Sequence, residues 1–166
     1  VLTSMQNIAY YSGFLYCSFG RPYACIVTSN NNVVVSANID ASQPWRRCYG
    51  ENLIYTDWER DNYLKAIISI LKKVKRVGIE NDHLTLERHK NLKDALGNPE
   101  LIDIAPSIML KRMIKSSEEI KLITSGAKIA DIGGEALVNE IKIGVSEIDI
   151  AMVGRDAMEK AIVKLH

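Results

Sequence analysis

No HExxH, CxxC, GxGxxG or Walker spacing occurs in this chain of 166 residues. Each absence removes a class of chemistry. The three histidines, His83, His89 and His166, stand in no ligand spacing, and no Cys or carboxylate cluster completes a metal site, so no metal is expected. Each reads as a surface or helix-terminal side chain. The three cysteines, Cys17, Cys25 and Cys48, form no CxxC pair, and an odd count argues against a closed disulfide framework. They read as small buried hydrophobes in a reducing compartment, which implies a cytoplasmic location. Gly133-Gly134 lies inside a helical pattern with no strand before it, so it suits close packing, not phosphate binding, and no cofactor is expected. Glu118 and Glu119 are helix neighbours that point apart, and they read as dipole partners instead of a catalytic pair. With no nucleophile–base pair either, no catalytic residue is assigned, and the polypeptide alone holds no complete active site.

Long apolar runs and one-sided charge are missing too. No stretch is long and apolar enough to cross a membrane. Twenty-one basic residues against twenty acidic give a net charge of +1, which offers no electrostatic case for a nucleic acid or membrane partner. The chain opens on Val1, so the sequence as given does not speak to a targeting signal. What is present is an ordinary globular composition, 47% hydrophobic and 25% charged.

The first two thirds alternate strand-like and helix-like runs. Ala24–Thr28 and Val33–Ala37 are strands joined by an asparagine turn at Asn30–Asn32, a hairpin signal. Asn52–Tyr55 is a further strand. Asp61 can cap a helix with the stripe Leu64, Ile67, Leu71 and Val74, whose end carries Lys72, Lys73, Lys75 and Arg76. Val77–Ile79 is a short strand, Leu84–Leu96 a weaker helix ended by Gly97, and Leu101–Ile104 a strand ended by Pro106. This order predicts an α/β domain, a mixed sheet covered by helices.

Beyond Pro106 the pattern turns helical. Ser116 and Glu119 fit a capping box. Ile120, Ile123, Ala127, Ala130, Gly134, Leu137 and Ile141 then form one apolar stripe. Gly144 breaks the chain. Ser146 and Asp149 offer a second box, followed by Ile148, Ala151, Gly154, Met158, Ile162 and Leu165. Small residues in both stripes allow close approach. Two such helices leave apolar surface over, which points either to a second domain that has only begun or to a helical hairpin docked on the first. Apolar surface of this extent also predicts self-association.

Tyr10 to Tyr23 sets four tyrosines, two phenylalanines and Arg21 around Gly13, Gly20 and Pro22. Glycines and a φ-locked proline suit a shaped loop, not a helix or strand. An arginine held in such a loop can pair both oxygens of a carboxylate with its planar fork. An aromatic packing loop with a solvated arginine is the other reading. Gln43-Pro44-Trp45-Arg46-Arg47 is a second aromatic–cationic loop, read as an Arg pair beside a buried Trp.

Tyr10-Tyr11-Ser12 with Phe14 to Ala24 resembles the matching segment of the creatinases, within the creatinase/prolidase/aminopeptidase P family. The likeness continues through Ser36–Asp40, Gln43–Arg47, Tyr55–Trp58, Gly78–Glu80, Asp82–Leu84, Arg112–Ser116, Glu118-Glu119 and Ala130–Gly134. It implies an α/β N-terminal domain over 1–113, opening at the family's first strand without the helix that precedes it. Residues 114–166 would be the first helices of a truncated catalytic domain with the pita-bread fold. Catalytic groups would lie beyond this chain, metal-free in the creatinases and two-metal in the peptidases. The implied parent is a homodimeric amidinohydrolase that converts creatine and water to sarcosine and urea, inactive as this fragment. The resemblance further implies that Phe19 and Arg21 of one subunit contact the substrate carboxylate in the other's active site. The alternatives are the N-terminal domain of a metal-dependent X–Pro peptidase, or a non-catalytic dimerisation or interaction domain.

Overall fold

Residues 24–37 turn back on themselves because a polar asparagine run separates two short β-branched runs. In the computed structural model, which describes residues 1–15, 20–43, 48–56, 58–59 and 61–165, these runs are β1 (Ala24–Val27) and β2 (Asn32–Ala37), paired antiparallel from Ala24↔Val35 to Val27↔Asn32. Thr28 Oγ1 accepts from the Asn31 N–H at 3.0 Å and closes the turn. The chain divides into two units, Val1–Arg112 and Met113–His166.

In the first unit, β3 (Glu51–Tyr55) lies parallel to β2, from Val33↔Glu51 to Ala37↔Tyr55. Gly50 makes that entry possible: its φ is +99°, and a Cβ there would sit 2.2 Å from the Asn32 carbonyl oxygen. A second pair, β4 (Arg76–Ile79) and β5 (Glu100–Asp103), is also parallel. Residues 1–3 run between the three-stranded sheet and this pair. Leu2 exchanges two backbone hydrogen bonds of 2.8 Å with Cys25, and the Val1 nitrogen donates to the Gly78 carbonyl at 2.7 Å.

Pleating assigns the helices to faces. Cys25 and Asn32 share a face, joined Sγ to Oδ1 at 2.8 Å, and Asn32 Nδ2 reaches the Tyr11 carbonyl in α1 (Met5–Ser12). Tyr55 lies on the opposite face, edge-on to Tyr63 of α2 (Asn62–Ile70) at 5.7 Å. Helix α3 (Leu86–Ala95) joins β4 to β5, and α4 (Ala105–Met113) follows β5. Ile8, Ala24, Ile26, Val34, Val35, Ile67 and Ile79 are buried between these layers. The mixed sheet covered by helices is the expected α/β arrangement.

Several expectations are corrected. Tyr10, Tyr11 and Ser12 are the last turn of α1, not loop; the loop starts at Gly13, which takes φ +75° and donates to the Ala9 carbonyl at 2.8 Å. Asp61 occupies the N-cap position of α2 but makes no capping bond, since its own φ is +63°. That helix ends at Ile70, so Leu71 and Val74 lie past it, and Arg76 belongs to β4, paired with Glu100 at 3.2 Å. Pro106 does not end β5. It sits in the first turn of α4, where its missing N–H costs no helical bond.

Glu80, immediately after β4, is fully buried and holds the start of the chain. Its carboxylate accepts from the Thr3 and Ser4 N–H groups, the latter at 2.9 Å, from Thr3 Oγ1 at 3.2 Å, from Ser4 Oγ at 2.6 Å and from Asn7 Nδ2. Thr3 and the N-cap residue Ser4 lead into α1, and Asn7 lies in its first turn, where a negative charge is favoured. Burial pushes the carboxyl pKa up, and the hydrogen bonds from Ser4, Thr3 and Asn7 outweigh it and hold the value below the ordinary one. Around this centre, Arg112 Nη1 donates to Asn7 Oδ1 at 3.1 Å, and His83 Nδ1 lies 2.9 Å from Thr3 Oγ1.

The second unit holds α5 (Ser117–Glu140) and α6 (Glu147–Leu165). Ser116 and Glu119 form the full capping box: Glu119 N–H donates to Ser116 Oγ at 3.2 Å, and Ser116 N–H to Glu119 Oε2 at 2.7 Å. At Ser146 the Asp149 N–H donates to Ser146 Oγ at 3.3 Å, and the Ser146 hydroxyl donates to Asp149 Oδ2 at 2.6 Å. The two helices meet at Gly133 and Gly154. A Cβ on Gly133 would lie 2.6 Å from Met158 Cγ, and one on Gly154 2.6 Å from Leu137 Cγ. Gly134, expected in the packed stripe, faces open space.

Two outcomes are expected in chemical denaturation. Glu80→Ala leaves several buried donors unpaired and should cost about 3–5 kcal/mol at pH 7. Because the folded pKa is depressed, the pH-linked part of this contribution is full above the unfolded value of about 4.3 and fades as pH falls through the folded one; a mutant deficit that grows as pH falls would contradict it. Gly134→Ala should raise stability by up to about 1 kcal/mol through helix propensity, whereas Gly154→Ala should lower it.

Candidate functional site

Arg21 lies in the short segment between Gly20 and β1, and its side chain is exposed. Gly20 has φ +68°, which favours glycine, and Pro22 fixes the next φ. Pro22 has no N–H, so only its carbonyl can anchor that peptide, and Tyr55 Oη donates to it at 2.9 Å. Tyr63 Oη donates to the next carbonyl, that of Tyr23, at 3.0 Å. Tyr23 in turn hydrogen-bonds Asp40 through its hydroxyl and packs its ring 6.1 Å from Phe14. Three buried or half-buried tyrosines thus hold the backbone just after Arg21.

Arg21 opens onto a cleft of about 380 Å³ that also includes Tyr55, Asn62, Tyr63, Glu87 and Arg88. Its walls mix both charges with amide and phenol groups, a lining suited to a small polar molecule. Glu59, on the same cleft, is engaged by Lys65 at 2.6 Å, and that hydrogen bond holds its carboxyl below the ordinary range. Phe19, the other expected substrate contact, lies outside the described residues, as do Tyr16–Ser18 and Pro44–Arg47.

Tyr55 and Tyr63 are residues that sequence reasoning did not assign to the loop. They stand 33 and 40 residues from the carbonyls they hold. Nothing in local patterning marks such a pairing; only the parallel placement of β3 beside β2 brings Tyr55 to the base of the loop.

Other chemically able groups are committed elsewhere. Burial pushes the Cys25 thiol up to about 12 and the Cys48 thiol up to about 11, so neither is a thiolate at neutral pH. His83 and Arg112 border a hollow of about 370 Å³ over the start of α1, where both serve the network around Glu80. Among the described residues no three His, Cys, Asp or Glu side chains come together in a way that could hold a metal ion. No helix among them is long and apolar enough to cross a membrane.

The Creatinase/Prolidase N-terminal domain family matches residues 1–114. A curated creatinase of Bacillus sp. (strain B-0618) is 50% identical over 170 aligned residues, which cover all of this chain and 41% of that protein. Among solved structures, an X-Pro aminopeptidase from Thermotoga maritima MSB8 superposes with a TM-score of 0.77 at 21% identity, over 96% of this chain and 46% of that one. The Creatinase/Prolidase N-terminal domain of an X-Pro dipeptidase from Streptococcus pyogenes superposes with a TM-score of 0.57 at 17% identity, over 65% of this chain and 82% of that one. The chain belongs to the creatinase/prolidase family through its N-terminal domain. It spans about two fifths of the length of the curated creatinase it matches.

The raised thiol pKa values give a direct check. Iodoacetamide labelling of Cys48 at pH 8, read by peptide mapping, should run on the order of a hundredfold slower than at an ordinary exposed cysteine. It should rise about tenfold per pH unit toward pH 10. A plateau below pH 9 would show that burial does not control this thiol.

Proposed function

We propose that this chain is the N-terminal portion of a creatine amidinohydrolase. The observation that carries the reading is 50% identity to a creatinase along the entire chain, the Arg21 loop included. Residues 1–113 would form its N-terminal domain and residues 114–166 the first helices of its catalytic domain. The whole protein would hydrolyse creatine to sarcosine and urea. A general base takes a proton from water, the water oxygen attacks the guanidinium carbon, and the bond from that carbon to the methylated nitrogen breaks as a general acid protonates the leaving nitrogen. Those catalytic groups would lie in the rest of the protein, so this portion by itself would not turn over substrate.

This chain's part is recognition. Creatine carries a carboxylate at one end and a guanidinium at the other, so a cationic fork at the carboxylate end decides which way the molecule lies. Arg21 supplies that fork on an exposed loop with a fixed base, and Phe19 would exclude water beside the ion pair. An exposed arginine on the outer side of a domain suits action across a homodimer, with the loop of one subunit at the active site of the other. A cytoplasmic enzyme is consistent with the free thiols.

A second reading, an X–Pro peptidase, is favoured by the shared fold of the X-Pro aminopeptidase. Urea release from creatine by the full-length protein, unaffected by chelator, would support the amidinohydrolase. Chelator-sensitive cleavage of X–Pro dipeptides without urea release would support the peptidase.

Arg21→Ala in the full-length protein should lower kcat/KM for creatine by about ten- to more than a hundredfold, the equivalent of a charge-assisted hydrogen bond worth roughly 1.5–3 kcal/mol. Arg21→Lys keeps the charge without the fork and should recover only part of the loss. An unchanged kcat/KM in a folded, dimeric Arg21→Ala protein would remove Arg21 from the site.

A further inference from the structure

We infer that Tyr55 and Tyr63 are positioning residues for Arg21, setting substrate recognition through two consecutive backbone carbonyls. The inference rests on the carboxylate-reading role proposed for Arg21 and goes beyond it to the groups that aim the side chain.

An arginine fork recognises a carboxylate only if its Cα is held in place, because the long side chain already loses rotamer freedom on binding. Upstream, Gly20 contributes no side-chain anchor; a Cβ built on it meets nothing within 4 Å. Downstream, Pro22 stiffens one torsion but cannot donate to a neighbouring strand. Regular pairing of β1 starts only at Ala24. The two peptides between Arg21 and the sheet are therefore fixed by side chains. Tyr55 Oη takes the Pro22 carbonyl at 2.9 Å, and Tyr63 Oη takes the Tyr23 carbonyl at 3.0 Å.

The two phenols come from different elements, the end of β3 and the first turn of α2, and their rings meet edge-on at 5.7 Å and 64°. That contact sets their hydroxyls at the spacing of adjacent carbonyls. Both residues also border the cleft beside Arg21. A purely structural tyrosine needs one satisfied hydroxyl; two tyrosines on successive carbonyls define the direction in which the chain leaves the sheet, and Arg21 is the first residue beyond them.

The test is a mutant cycle in the full-length protein, with urea release from creatine as the readout. Tyr55→Phe, Tyr63→Phe and the double variant keep the ring packing and remove only hydroxyls. Each is made with Arg21 present and in an Arg21→Ala background, with thermal melting run in parallel. With Arg21 present, each single change should lower kcat/KM about three- to tenfold, the scale of one neutral hydrogen bond. In the Arg21→Ala background the same changes should cost less than about twofold, because they act through a side chain that is gone. An equal loss in both backgrounds would assign the hydroxyls to general stability and overturn the inference. So would no loss with Arg21 present; if Arg21→Ala still impairs turnover, the role of Arg21 stands without its positioning residues. If Arg21→Ala is itself without effect, both fall together.

Discussion

Glu80 draws five hydrogen bonds from residues 3 to 7, and much of the first unit is arranged around that buried carboxylate. A carboxylate out of water is unfavourable unless donors surround it. Here Thr3 and Ser4, just ahead of α1, supply backbone donors, and Thr3, Ser4 and Asn7 supply side-chain donors. The consequence is positional. Residues 1–3 are drawn in beside β4, Leu2 pairs with Cys25, and a three-stranded sheet and a separate strand pair become connected through three residues. Arg112, from the end of α4, reaches the same network through Asn7, so both ends of the unit meet at one charge.

From that anchor the path to the Arg21 loop is short. Helix α1 is held at its start by Glu80 and stopped at Gly13 by a left-handed cap. The loop thus begins at a defined place on the sheet, and tyrosines on β3 and α2 define where it ends. Between these two fixed points the sequence places its aromatic and arginine residues. Arg21 is exposed, whereas Phe14 and Tyr23 on either side of it in the sequence are buried.

The family setting shows one architecture under widely different sequences. The same α/β fold stands in an X-Pro aminopeptidase at 21% identity, where only the architecture is shared. Against the creatinase the identity is 50% along the whole chain. A scaffold held by buried polar bonds and a small sheet tolerates change on its surface, so loops at its rim can vary while the sheet stays.

Local chemistry made much of this legible in the sequence. The β1–β2 hairpin follows from its asparagine turn, the long helices from capping residues and 3.6-residue periodicity, and the break between them from Gly144. The segment Tyr10 to Tyr23 was legible as an unusual loop with a cation in it, though its first three residues belong to α1. That helix is short and weakly patterned, and it depends on a carboxylate 73 to 77 residues away, which no local window contains. The same reason hid the parallel placement of β3, the choice of Gly133 over Gly134 at the helix contact, and the tyrosines that hold the loop. Sequence determines which groups are available and which short segments they favour. Tertiary structure alone decides which distant groups meet, because a buried charge, a close helix crossing and an orphan carbonyl are each satisfied only by a partner brought from elsewhere in the fold.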